Sequence, residues 1–108
     1  MFTKVFSTLF VIAATTAVVS AGGRLTLCTD VNMTGHCETI SYLNNECINL
    51  GSALANEVSS VDPEGDGHKC YLFVNAACQG DHFDFTKHHD DIGVYEDRAN
   101  SFYCNNAN

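Results

Sequence analysis

The chain has 108 residues, six cysteines and a formal net charge of −8, with 5 Lys/Arg against 13 Asp/Glu. That length allows one domain. The acidic balance leaves no basic footprint for nucleic acid or an anionic membrane surface.

Residues 1–21 read as a secretory leader. Lys4 gives a positive start. Val5 to Val19 is apolar or small apart from Ser7, Thr8, Thr15 and Thr16, and Val19-Ser20-Ala21 fits a cleavage pattern with the cut after Ala21. The stretch falls short of the roughly 20 residues that span a bilayer, which argues against an anchor and against membrane insertion. Cleavage leaves 87 residues with four Lys/Arg, thirteen Asp/Glu and a net charge of −9. All six cysteines (Cys28, Cys37, Cys47, Cys70, Cys78, Cys104) lie in that remainder. An even count in a small secreted chain reads as three disulfides in an extracellular protein. Zinc is the weaker reading, because no C-x2-C pair exists.

The remainder, residues 22–108, repeats itself. LTLCTDVNMTGHCETI at 25–40 lies on CYLFVNAACQGDHFDF at 70–85 without a gap, so that Leu27 falls on Leu72, Asp30 on Asn75, Gly35 on Gly80 and Ile40 on Phe85. Each copy closes with a similar tail, NEVSSV at 56–61 and DRANSF at 97–102. Such a unit is too short to bury its own apolar face, so the copies must pack on each other.

Short β-branched and aromatic runs bounded by Gly, Asn and Asp predict strands near 25–29, 37–42, 47–50 and 57–61 in copy one. Copy two predicts them near 70–74, 81–85, 92–95 and 100–104. Ser52 to Asn56 offers about one helical turn. Alternation points Leu25, Leu27 and Ile40 inward in copy one, and Cys70, Leu72, Phe83, Phe85, Phe102 and Cys104 inward in copy two. Asn32-Met33-Thr34 is the one N-glycosylation sequon, at a predicted hairpin tip. Pro63-Glu64-Gly65-Asp66-Gly67 reads as a turn-rich connector. The expected fold is all-β: one sandwich of two four-stranded Greek keys, at about 24–62 and about 69–105.

At this point the residues resemble a family. A strand, a hairpin Gly (Gly35, Gly80), a short strand near Ile48-Asn49-Leu50 and then Asn-x-x-Ser-Ser resemble the βγ-crystallin Greek-key motif across both copies. Cys-Thr-Asp-Val-Asn-x-x-Gly-x-Cys-Glu-Thr at 28–39 and Ser-Phe-x-Cys at 101–104 resemble its small secreted, cysteine-rich fungal members. The resemblance implies a first hairpin folded over the sandwich, a conformation that a Cβ would oppose at Gly35 and Gly80. Where the family carries an aromatic two positions earlier, Met33 and Cys78 stand instead. Six cysteines allow fifteen pairings. The resemblance makes the first and last strands of copy two neighbours, which favours Cys70–Cys104. Cys28–Cys37 and Cys47–Cys78 are then the preferred remainder.

The resemblance also implies Ca2+ sites built from Asn/Asp-Asn/Asp-x-x-Ser/Thr-Ser, an all-oxygen donor set suited to a hard cation. The expected donors are Asn56, the Glu57 carbonyl and Ser59 in copy one, with Asp97, the Arg98 carbonyl and Asn100 in copy two. Both copies depart from the pattern. Ala55 lacks an oxygen donor, Glu96 is long, Asn100 replaces a hydroxyl, and Arg98 adds positive charge. Two readings stay open: serines that only satisfy backbone groups, or Ca2+ held at about 10⁻⁴ M or more weakly. Lys87-His88-His89-Asp90-Asp91 with His82 could hold Zn2+ or Cu2+, but its plainer reading is a polar loop.

The family is non-enzymatic as a rule, and no catalytic constellation stands out here. The leading expectation is therefore a secreted structural or binding module with weak Ca2+ binding. One alternative is a toxin, antimicrobial protein or host-directed effector acting on an extracellular protein or cell-surface target, though a lytic toxin is more often basic. The other is an extracellular protease inhibitor, for which Pro63 to His68 is the only obvious loop. Fold alone does not choose among them.

Overall fold

Apolar and polar residues alternate through Leu25–Leu27 and Cys70–Leu72, and each run lies in the central strand of a three-strand pairing. A computed structural model of the chain describes residues 22–64 and 67–106. The leader and its cut after Ala21 lie outside the described residues. Copy one forms β1 (Gly22–Asp30), β2 (Thr34–Leu43), β3 (Ile48–Asn49) and β4 (Ser60–Glu64). Copy two forms β5 (His68–Asn75), β6 (Gln79–Phe85) and β7 (Ser101–Asn106).

The strands build two antiparallel sheets, β2-β1-β4 and β3-β7-β5-β6. The third strand of copy one therefore leaves its own sheet. Ile48 pairs with Phe102 and Asn49 with Ser101 on β7 of copy two. Copy two returns the exchange with a single bridge, His89 to Val61 on β4, closed by backbone hydrogen bonds of 3.0 and 2.9 Å. The two Greek keys are thus interlocked.

Three expectations are corrected. The strand predicted at 92–95 is a 3-10 turn at Gly93–Tyr95, so seven strands stand among the described residues where eight were expected. Turn chemistry explains it: Gly93 has φ +64, and its N–H donates to the Asp91 carboxylate at 2.8 Å. The strand predicted at 57–61 begins only at Ser60 and runs on through Pro63 to Glu64, pairing Pro63 with Leu25. Val61 turns its N–H outward to His89, so the nitrogen of Pro63, two residues on, faces the same open side, where it has no ladder bond to lose. Pro63 and Glu64 of the expected connector lie in β4 and His68 lies in β5, so three of the six residues of the loop that an inhibitor reading requires are strand.

Leu25, Leu27, Leu54, Val58, Val61, Leu72 and Phe102 form the centre of the core, with Ile40 and Phe83 half-buried against it. Tyr42 is also buried, edge-on to His68 and Phe102, and its hydroxyl finds no hydrogen-bond partner among the described residues. The disulfides divide the labour. Cys28–Cys37 joins register partners of β1 and β2, and Cys70–Cys104 joins register partners of β5 and β7. Cys47–Cys78 ties the approach to β3 in copy one to the hairpin tip of copy two. Each such cross-link typically adds about 2–4 kcal/mol, and no cysteine remains free.

Candidate metal centre

The last serine of each tail is fully buried and grips a hairpin. Ser60 Oγ accepts from the Met33 N–H at 3.0 Å and donates to the Asp30 carbonyl at 2.6 Å. Ser101 Oγ accepts from the Cys78 N–H at 2.9 Å and donates to the Asn75 carbonyl at 2.5 Å. The tips need these partners because Asn32 and Met33, like Ala77 and Cys78, are successive left-handed residues that turn their peptide groups out of the ladder. Gly35 (φ +81) and Gly80 (φ +88) complete each fold-over. A Cβ there would meet Thr29 Oγ1 at 2.6 Å or Asn75 Nδ2 at 2.5 Å. Asn32 itself stands exposed, its N–H donating to Asp90 O at 2.8 Å.

One step back, the tails reach across to each other. Asn56 N–H donates to Ala99 O at 2.8 Å, and Asp97 N–H to Val58 O at 3.0 Å. Asn56 and Asp97 share a left-handed backbone, φ +62 and +61. Ser59 N–H donates to Cys28 O at 2.9 Å, and Asn100 N–H to Phe73 O at 2.8 Å. Each of these backbone bonds has its counterpart in the other copy, so the backbone of the tails obeys a local two-fold. The expected donor sets are therefore exchanged. Asn56 of copy one meets Arg98 and Asn100 of copy two, and Asp97 of copy two reaches Val58, between Glu57 and Ser59 of copy one.

The Asn56 position is filled from within. Asn100 Nδ2 donates to Asn56 Oδ1 at 2.8 Å and to Val74 O at 2.8 Å, and lies 3.4 Å from Arg98 O. The Arg98 guanidinium points elsewhere, to Val94 O at 3.2 Å and over the Tyr95 ring at 5.6 Å. Ala55 is half-buried against the core, while Glu96 is exposed. The carbonyls of Val74 and Arg98 show how much of this geometry is backbone. A carbonyl is common to every residue type, so the Val74 contribution left no mark in the sequence.

The histidine run does not assemble a metal site. His88 pairs with Asp90 and lies 4.0 Å from Asp62, His82 pairs with Asp84, and His89 turns edge-on to Phe83. No cluster of three His, Cys, Asp or Glu suited to a metal occurs among the described residues. Nor does a pocket open among them.

No family model matches the chain, and no curated protein matches its sequence. Solved structures do. A βγ-crystallin domain from Flavobacterium johnsoniae is similar at 18% identity over 77% of this chain and 94% of that one, TM-score 0.65. The βγ-crystallin domain of Abundant Perithecial Protein from Neurospora crassa, in its Ca2+-bound form, is similar at 15% identity over 87% of this chain and 98% of that one, TM-score 0.61. This chain has the βγ-crystallin fold. Within the βγ-crystallin fold seen here, the two tail positions differ in chemistry. On the Asp97 side, the positions that correspond to Asn56, Asn100 and Arg98 hold a carboxylate, the Ser59 hydroxyl and the Glu57 carbonyl, oxygen groups of the type a hard cation takes. The Asn56 side presents its oxygens to an N–H donor and does not fit one.

Proposed function

We propose that the chain is an extracellular, non-enzymatic βγ-crystallin-type module, structural or binding in role, that holds at most one Ca2+ weakly. The observation that carries this reading is the consumption of all six cysteines by three bridges, one within each copy and one between them. Disulfides of this density belong to oxidising compartments and to small domains that need staples. The leader pattern of residues 1–21 supports the same compartment. For the metal, support comes from the Asp97, Ser59 and Glu57 donor chemistry and from the Ca2+-bound Neurospora crassa domain of the same fold. Asp97 supplies the only carboxylate, so affinity stays at about 10⁻⁴ M or weaker. A few millimolar Ca2+ then adds about 2 kcal/mol at most. Two measurements test the reading. Thiol alkylation of the native secreted protein should label no cysteine; labelling of two or more sinks the compartment argument. Calorimetric titration of the oxidised protein with Ca2+ should show a weak event that Asp97→Asn removes; a flat titration sinks the metal.

A further inference from the structure

We infer that the Asn100 carboxamide is a built-in occupant of the second cation position, holding the Asn56 side of the tails closed at every Ca2+ concentration. The inference deepens the calcium reading above, and its test separates the two.

Three oxygens converge on one nitrogen: Asn56 Oδ1, Val74 O and Arg98 O. Two of them are backbone carbonyls, which only accept, so the atom facing them is the amide nitrogen and its orientation is fixed. The two 2.8 Å contacts are ordinary N–H···O lengths, well beyond the 2.3–2.6 Å at which oxygen binds Ca2+. The NH2 group thus does the work of a cation, drawing together oxygens that would otherwise repel. The two-fold makes the contrast sharp. Ser59 and Asp97 stand where Asn100 and Asn56 stand in the other half. The Asn56 side has therefore lost a carboxylate and gained a donor, both changes against a cation. Among the described residues, the side-chain hydrogen bond between the tails is Asn100 Nδ2 to Asn56 Oδ1, and none involves the Asp97 carboxylate or the Ser59 hydroxyl.

Asn100→Asp keeps the side chain's size and replaces the donor with an oxygen. In chelator its melting temperature is expected to fall below that of the native protein, and millimolar Ca2+ should recover most of that loss. Native protein should gain less from the same addition. Titration should show one more Ca2+ per chain in Asn100→Asp than in the native protein, bound at least tenfold more tightly than any ion the native protein takes. Should Asn100→Asp fail to fold, Asn100→Ser carries the test, with one added Ca2+ and a lower melting temperature in chelator. Two ions in the native protein, or no added ion in the variant that folds, overturns the inference. No ion in native protein and one in the variant upholds it, while removing the weak site proposed at Asp97.

Discussion

Tyr42 buries its ring between the sheets and leaves its hydroxyl unmatched, although the other buried hydroxyls at the hairpins are paired. A buried polar group without a partner costs about 1–3 kcal/mol. Tyr42→Phe is therefore expected to raise stability at neutral pH by about 1 kcal/mol, read as a higher melting temperature. Burial also pushes the Tyr42 phenol above its usual value of 10.0. The folded chain then holds that proton more tightly than the unfolded chain does. Its contribution is fully present below the unfolded value and is lost as pH rises through the folded one. Melting temperatures taken above pH 10 should fall less steeply in Tyr42→Phe than in the native protein. Tyr95 is raised too, first by desolvation and then by its hydrogen bond to Asp81, so some alkaline loss remains. Gly80 gives a second contrast. Valine there meets both a φ of +88 and Asn75 Nδ2, and should cost roughly 2 kcal/mol or more. Asp81→Ala surrenders hydrogen bonds from the His82 N–H and the Tyr95 hydroxyl on an exposed side chain, a loss of about 1 kcal/mol. Equal melting temperatures for the two variants would contradict the geometry of the tip.

The hairpins and tails were the elements best marked in the sequence. Gly35, Gly80 and the closing serines recur in register because each meets a backbone demand that few other residues meet. Ser60→Ala and Ser101→Ala should each cost about 1–3 kcal/mol, since each removes two hydrogen bonds from a buried turn. Urea unfolding would read both, and a loss confined to one of them would break the two-fold described here. The short strand at Ile48–Asn49 was marked, but its crossing to β7 of the other copy was not. Two residues carry no sign of which strand they will pair with, and the His89 bridge consists of backbone bonds alone. Asn100 was legible as a departure from a pattern. Its bonds to Val74 and Arg98 were not, because a carbonyl acceptor carries no residue signature.

At the scale of the molecule, the repeat fixed the architecture because two half-sized units must share one core. The same sharing hid the composition of each tail position, which draws residues from both copies. The bridge between the copies should weigh more than its single bond suggests. Cys47→Ser with Cys78→Ser removes a closure spanning 31 residues, worth about 3.7 kcal/mol in chain entropy. It should lower the melting temperature while leaving Cys28–Cys37 and Cys70–Cys104 intact by mass mapping. The exchanged strands also impose an order in time. Cys28 and Cys37 are nine residues apart and face each other across one hairpin, so they can join while the rest of the chain is still emerging. Cys47 sits beside β3, whose only strand partner, β7, ends the described chain. Strand β7 must first pair with β5, where Cys70 faces Cys104, before β3 can dock on it, so the Cys47–Cys78 bridge is expected last when refolding is quenched with acid and the intermediates are mapped. A cell that monitors this one bond could tell a finished molecule from an unfinished one.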